Sequence, residues 1–349
     1  MIVPLFLMNR GCPHRCIFCD ARQIAGRQED PLSENDIRRT LALYTQKGKG
    51  KSEPVELAFF GGNFTGMERS EQIRLLEISR RLIRRGEIRQ VRISTRPDDL
   101  DTERLAMLAE YGVGVIEIGA QSLADDVLDL AGRGHRAEDV RRATLLAREG
   151  GFRVGLHLMA GLPGDNEDKF ADTIARTIAL QPHMVRLHPT LVFAGTPLAA
   201  RYRDGRYQPL TLPEAIALCK KALVAFDKAG IPVIRMGLQE TEWMQKPGSI
   251  VAGPHHPAFR ALVESSLFLD MAGQLLMRYR TEGDQADFAV SPRDVSSFRG
   301  QRSGNIHALI KKFRLASISV RPDPGLERGS LVLARQGAGV AQLDRSDLY

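Results

Sequence analysis

Short apolar runs alternate with stretches of helical spacing from the start of the chain to about residue 240, and no other feature of the 349 residues restricts the fold as much. The runs are 2–8, 55–60, 91–95, 113–118, 154–159 and 184–192, with 233–236 as a weaker seventh. Between them lie segments rich in Leu, Ala, Arg and Glu, at about 34–46, 69–85, 101–111, 136–149, 166–180 and 213–229. In the last of these, Pro213 suits a first helical turn and Gly230 a stop. Strand and helix in strict alternation imply parallel strands joined by right-handed crossovers. Six or seven such units predict an α/β fold, a partial (β/α)6 TIM-like barrel with its function at the carboxyl ends of the strands. A doubly wound sheet fits less well, because no G-x-G-x-x-G follows the first run.

The rhythm changes after about residue 245. A Pro/Gly/His-rich link, which includes His255 and His256, leads to a long apolar helix at about 258–279. A short strand near 286–290, a helix near 304–313 and strands near 315–320 and 330–335 follow. This reads as a small α+β appendage, so the expected domains are 1–245 and 246–349. The appendage is the more basic part. It holds 14 Lys and Arg against 10 Asp and Glu, where residues 1–245 hold 35 against 32. The net charge of +7 allows an anionic partner without requiring one. The apolar start lacks a basic flank and a cleavage site, and no later stretch approaches the length of a membrane span. A cytoplasmic chain with no membrane partner is expected.

Four cysteines are too few for a disulfide scaffold, and three of them, Cys12, Cys16 and Cys19, lie within eight residues. They directly follow the first apolar run. Three thiolates at x3 and x2 spacing can wrap one inorganic centre, either zinc with His14 as fourth ligand or an iron–sulfur cluster. An electron-transfer [4Fe–4S] cluster takes four cysteines. The remaining one, Cys219, falls mid-helix two hundred residues on, where a free thiol acts as a small hydrophobe. A cluster held by three would leave one iron open to a cofactor or substrate.

Other short motifs recur at the ends of the runs. Phe60-Gly61-Gly62-Asn63-Phe64 ends the second, and Ser94-Thr95-Arg96-Pro97-Asp98 the third. Gly119-Ala120-Gln121-Ser122 ends the fourth, with Gly132-Arg133-Gly134-His135 shortly after it. Gly155-Leu156-His157-Leu158-Met159 and Gly161-Leu162-Pro163-Gly164 end the fifth.

With its C-x3-C-x2-C loop and these strand-end motifs, the chain resembles the radical S-adenosylmethionine (SAM) superfamily over residues 1–240. Within it the chain is most similar to the subgroup of the Elongator catalytic subunit, and more distantly to oxygen-independent coproporphyrinogen oxidase. The resemblance implies a radical SAM barrel, a [4Fe–4S] cluster on Cys12, Cys16 and Cys19, and SAM on the fourth iron. It also implies an external electron donor of the flavodoxin or ferredoxin type. Reductive cleavage of SAM would yield a 5′-deoxyadenosyl radical that takes a hydrogen from the substrate.

On the same analogy Gly61 and Gly62 meet the SAM amino group, Gln121 the ribose and Arg133 the carboxylate. Phe18 covers the adenine or serves as core packing, and His157 contacts the ribose or the active site or is a satisfied core residue. Arg96 is a further SAM-pocket candidate or one half of an internal ion pair. His255 and His256 are expected in a solvated turn. The Elongator-like resemblance suggests tRNA or RNA modification, although 349 residues leave no length for that subunit's acetyltransferase domain. A small metabolite or tetrapyrrole precursor as substrate, and binding of cluster and SAM without turnover, are the alternatives.

Overall fold

The structure is a computed structural model that describes residues 1–7, 10–13, 16–19, 31–47, 54–238, 240–279, 285–335 and 338–349. The end of the first expected strand at Met8, and His14, lie outside the described residues. Chain contacts divide the protein into two units, residues 1–210 with 238–254 and residues 211–237 with 255–349.

The first unit is built on six strands that pair in parallel, each with its neighbour in the chain: β1 (Ile2–Phe6), β2 (Glu56–Phe60), β3 (Gln90–Thr95), β4 (Val113–Gln121), β5 (Arg153–Ala160) and β6 (Met184–Pro189). Helices separate them: α1 (Glu34–Lys47), α2 (Arg69–Arg84), α3 (Thr102–Glu110), α4 (Asp125–Leu130), α5 (Ala137–Glu149) and α6 (Glu167–Ala179). Strand order equal to chain order means that every crossover winds the same way, so the sheet curls as a half-barrel and does not reverse at a switch point. Side chains alternate along each strand. Leu57, Ile93, Ile116, Val154 and Val185 are fully buried, consistent with one face packed under the helices. Alternate positions carry Glu56, Arg92, Glu117, His157 and Arg186, which meet one another.

The helices bury apolar residues at the spacing the sequence displays; Leu75, Leu76, Ile78 and Leu82 form that face of α2. The run 184–192 is broken in two. β6 stops at Pro189, the Thr190 N–H turns back to Ala160 O at 2.9 Å, and Val192–Phe193 (β7) pairs antiparallel with Ile250–Ala252 (β9). The connection carries a further helix, Pro197–Arg203 (α7).

The second unit contains α8 (Leu212–Lys228), β8 (Val233–Met236), α9 (Phe259–Arg278), β10 (Gln285–Val290), α10 (Val295–Arg299), α11 (Gly304–Phe313), β11 (Ser317–Pro322), β12 (Ser330–Arg335) and β13 (Ala338–Asp344). Thr211 and Glu214 form a capping box at the start of α8, and the chain leaves it through Gly230 at φ +68°. Its last four strands form a sheet in the order β11-β10-β12-β13, parallel between β10 and β11 and antiparallel elsewhere. Phe298 ties its core together, with ring centroids 6.3 Å from Phe268 on α9 and 5.1 Å from Phe288 on β10. Cys219 is fully buried in α8, and burial pushes its thiol up to about 12, the behaviour of a small core hydrophobe. His256 sits in a turn, its Nδ1 accepting from Ala258 N at 3.0 Å.

Candidate active site at the strand ends

The cysteine loop is held from both sides by polar contacts at the carboxyl end of the sheet. On one side Asn63, 1% exposed, is the hub. Its amide Nδ2 donates to Gly11 O at 2.7 Å and to Asp99, its Oδ1 accepts from Arg96 N at 3.0 Å, and its own N–H donates to Arg10 O at 2.9 Å. Two glycines make that approach feasible. A Cβ on Gly11, at φ +71°, would lie 2.1 Å from Asn63 O, and one on Gly62 would lie 2.8 Å from Arg10 O. On the other side Ile17 N donates to Ala131 O and Ile17 O accepts from Leu198 N.

Cys16 is buried, while Cys12 and Cys19 are open to solvent. Among the described residues no three His, Cys, Asp or Glu side chains are arranged to hold a metal ion, so the three thiols do not close on one point. Cys12 nonetheless feels its neighbours. Partial burial and the Cys16 thiol push its pKa up, against the pull of Arg96 and Arg133.

Arg133 is the centre of the site. Nη1 lies 3.0 Å from Cys16 Sγ, Nη2 donates to Gly119 O at 2.5 Å, and Nε is buried without a hydrogen-bond partner. A buried cationic donor with nothing to donate to is costly unless a ligand supplies the acceptor. Its carbonyl accepts from Arg96 Nη2 at 2.6 Å. Arg96, 4% exposed, also forms a fork with Asp98 at 3.0 and 2.8 Å, so the internal ion pair is present and lies beside Arg133.

Gln121 takes a left-handed φ of 68° and folds its amide over Gly119, where a Cβ would lie 2.9 Å from Nε2. The chain shifts register at this point, between Ile118 and Gln121, which is why β4 runs to Gln121 past its expected end at 118. Phe18 is partly buried and packs against two apolar clusters, Val192-Leu198-Ala199-Tyr207 and Val127-Ala131-Leu162. Gly61 turns the chain at the end of β2 at φ +76°. His135, buried behind Arg133, is brought down to about 3 by burial and by Arg133 and Arg96. It is therefore neutral, and Nε2 donates to Ala120 O at 3.3 Å.

Deeper on the same face, His157 Nε2 meets Glu117, whose side chain is fully buried. Glu117 also accepts from Arg92 Nη1 at 2.6 Å and Arg186 Nη2 at 2.8 Å, and Arg92 reaches Glu56 at 2.6 Å. Burial alone would raise the Glu117 pKa. The His157 hydrogen bond and the charges of Arg186 and Arg92 outweigh it and bring the group down to about 2. Burial, Arg186 and Arg92 hold His157 below its ordinary value, against Glu117. An ionised carboxylate only accepts, so a neutral His157 donates through Nε2–H and keeps Nδ1 as an acceptor. Glu117, Arg92 and Arg186 were not expected from sequence. Their signal was a charged residue set between apolar neighbours, Val91-Arg92-Ile93, Ile116-Glu117-Ile118 and Val185-Arg186-Leu187, in three strands.

The chain matches the family model described as Radical SAM superfamily over residues 6–177, and the one described as Radical_SAM C-terminal domain over residues 182–268. It is 28% identical over 243 residues to a tRNA uridine(34) acetyltransferase of Dehalococcoides mccartyi, covering 60% of this chain and 53% of that protein. It is 27% identical over 199 residues to the heme chaperone HemW of Bacillus subtilis, covering 56% of this chain and 52% of that protein. The chain thus spans about half the length of these curated relatives. Among solved structures it is similar to the archaeal Methanocaldococcus infernus Elp3 with an N-terminal deletion, at TM-score 0.61 and 21% identity, covering 98% of this chain and 76% of that one. That likeness carries the fold.

Proposed function

The chain belongs to the radical SAM superfamily, and from that membership we propose that it is an enzyme that modifies tRNA at a uridine, with a [4Fe–4S] cluster and SAM as cofactors. The observation that carries the cofactor assignment is the environment of Arg133: one guanidinium spans Cys16 and the Gly119 carbonyl and keeps a buried donor over. Three thiols, a cation with an unmet donor and a strand end of close-packed glycines suit a cluster and a carboxylate-bearing ligand. When bound, the pair supplies one-electron reductive chemistry that removes a hydrogen atom from a substrate.

In this reading Cys12, Cys16 and Cys19 hold the cluster and Arg133 pairs with the SAM carboxylate. The backbone at Gly61-Gly62 faces the SAM amino group, Gln121 the ribose and Phe18 the adenine. His157, held by Glu117 with Nδ1 open, accepts a hydrogen bond from a ribose or substrate hydroxyl. Arg96 keeps Arg133 in place through its carbonyl. Electrons come from an external donor of the flavodoxin or ferredoxin type. Among the described residues no helix is long and apolar enough to cross a membrane.

The tRNA substrate rests on the acetyltransferase relative, which is named for uridine 34 of tRNA. The test is anaerobic reconstitution followed by SAM, reductant and unmodified tRNA deuterated in its uridines. Deuterium carried into 5′-deoxyadenosine identifies RNA as the target, whereas SAM cleavage with transfer only from a porphyrinogen or small metabolite overturns it. The HemW relative favours a second reading, tetrapyrrole binding without turnover. A heme titration with stoichiometric binding and no 5′-deoxyadenosine would select that one.

A further inference from the structure

From residue 295 to residue 322 the chain contains no Asp or Glu, although the whole holds 42 of them in 349 residues. The same stretch, with Arg293 just before it, carries Arg299, Arg302, Lys311, Lys312, Arg314 and Arg321. All seven are exposed. Arg293, Arg299, Arg302, Lys311, Lys312 and Arg314 form no ion pair among the described residues, so their charge is not neutralised within the protein. The acids next to the stretch are engaged: Asp294 is buried and holds Arg328 at 3.1 Å and Gly329 N at 2.8 Å, and Asp323 Oδ1 accepts from Gly325 N at 2.9 Å.

Five of these cations belong to one continuous structural piece. Arg299 ends α10, Arg302 sits in the turn that follows, and α11 leads to Lys311, Lys312 and Arg314, with α10, α11 and β11 packed together. The turn and the helix cap place Arg302 and Arg314 in left-handed conformations, φ 51° and 55°, the first before α11 and the second after it. Ten helical residues span about 15 Å, which separates two groups of cations, Arg299 and Arg302 before α11 and Lys311, Lys312 and Arg314 at its end. The exposed face of α11 between them is Gly304, His307, Ala308 and Lys311. Gly304 and Ala308 keep that face low between the two ends.

We propose that this line, residues 293–314, is the surface on which the protein docks the phosphate backbone of its RNA; the inference rests on the tRNA reading above. Unpaired cations at both ends of α11 can meet separate phosphates of one extended polyanion, and counterion release supplies the affinity. A membrane surface fits less well, because helices that lie in the interface expose an apolar face, whereas α11 turns Leu309 (1% exposed), Ile306 and Ile310 inward. An acidic protein fits less well too, since protein interfaces centre on aromatic and apolar anchors. Within residues 293–314 no phenyl ring is open for base stacking: Phe298 is buried and Phe313 is half-buried, with Lys312 Nζ 5.4 Å from its ring centroid. Recognition here is of backbone rather than of base sequence. The surface lies outside both family-model matches.

The experiment uses the full chain and unmodified tRNA, with binding measured by anisotropy over a range of salt. Neutralising five cations together, R299Q/R302Q/K311Q/K312Q/R314Q, should weaken binding at least about tenfold at low salt and make the slope of log K against log salt shallower by about 2 or more. A control removes five cations that are paired in the first unit, R38Q/R81Q/R104Q/R141Q/R206Q, and should leave that slope unchanged. RNA-independent formation of 5′-deoxyadenosine should match wild type in the first variant, which shows that it folds. Wild-type binding to tRNA with equal slopes in both variants overturns the surface and leaves the tRNA reading standing. A wild-type chain that binds phosphatidylserine vesicles but not tRNA overturns both.

Discussion

The two units hold their positive charge in opposite ways. Along the outer helices of the first, most arginines reach a carboxylate: Arg38 and Arg81 share Glu34, Arg104 meets Asp101, Arg141 meets Glu138, Arg142 meets Asp139 and Arg176 meets Asp172. In the second, the cations from Arg293 to Arg314 meet none among the described residues. Composition separates the units only weakly, 32 Lys and Arg to 30 Asp and Glu in the first against 17 to 12 in the second. Pairing clearly separates the outer helices of the first from residues 293–314 of the second, and a paired arginine is electrically quiet beyond a Debye length of about 8 Å at physiological salt. Arg-rich helices therefore say little about an anionic partner until the acids beside them are counted in space.

Inside the half-barrel the same contrast takes its most extreme form, because there the paired cations are buried. Removing one member of a buried ionic set leaves the others uncompensated. Glu117→Gln would strand Arg186 and leave Arg92 with Glu56 alone, and is expected to lower unfolding free energy by about 3–5 kcal/mol at pH 7. The pH dependence gives a second readout. The folded-state pKa of Glu117 lies below its unfolded value of 4.5, at about 2. Its contribution is thus complete above pH 4.5 and disappears as pH falls toward 2. His157, Arg92 and Arg186 are the charged or titratable groups that face it, from β5, β3 and β6. Urea unfolding of variant and wild type should converge over that interval; a gap that stays constant down to pH 2 would show that Glu117 is not ionised in the fold.

Arg133 tests the opposite property, a buried cation that is incompletely paired. Arg133→Lys keeps the charge but replaces a planar fork by a single ammonium. Binding of SAM to the reconstituted protein should weaken by about 10- to 100-fold, the range for losing one or two charge-assisted hydrogen bonds. Iron content should not change, since the lysine ligates nothing. Equal SAM affinity in the variant would reduce Arg133 to a strut beneath Cys16 and Gly119.

The alternation of apolar runs and helices was enough to locate every strand of the parallel sheet, because period and length are local properties. Where β6 ends was not local. It depends on Pro189 lacking an N–H and on Thr190 turning back to Ala160. The short α4, α7 and α10 and the strand β13 were also missed; Ala338-Gly339-Val340-Ala341 has too few bulky residues to show a two-residue period. Within the site, cysteine spacing and the glycine motifs were readable as ligand and close-approach chemistry. Asn63 was visible only as part of a motif, because its role is to join Gly11, Arg96 and Asp99, which are 52, 33 and 36 residues away. Glu117 is hidden for the same reason, its partners 25, 40 and 69 residues distant. Chain contacts group α8 and β8 with the second unit, although they continue the alternating pattern of the first.

The smallest expected effects isolate pairing most cleanly. Arg206 and Arg302 are both exposed arginines in turns, but Arg206 lies 2.6 Å from Asp204 and Arg302 has no acid. Exposed pairs contribute little, so Arg206→Gln should cost less than about 0.5 kcal/mol of stability and leave tRNA binding untouched. Arg302→Gln should cost nothing from lost pairing, and can gain slightly because a left-handed arginine is replaced by a residue under the same strain but without like-charge neighbours. Its signature is instead a salt slope for tRNA shallower by about 0.7–0.9, one phosphate contact. Two substitutions of identical chemistry should therefore separate, one registering only in thermal or chemical unfolding and the other only in binding. If both move the slope equally, net charge alone sets the affinity and the contrast between the two units has no functional content.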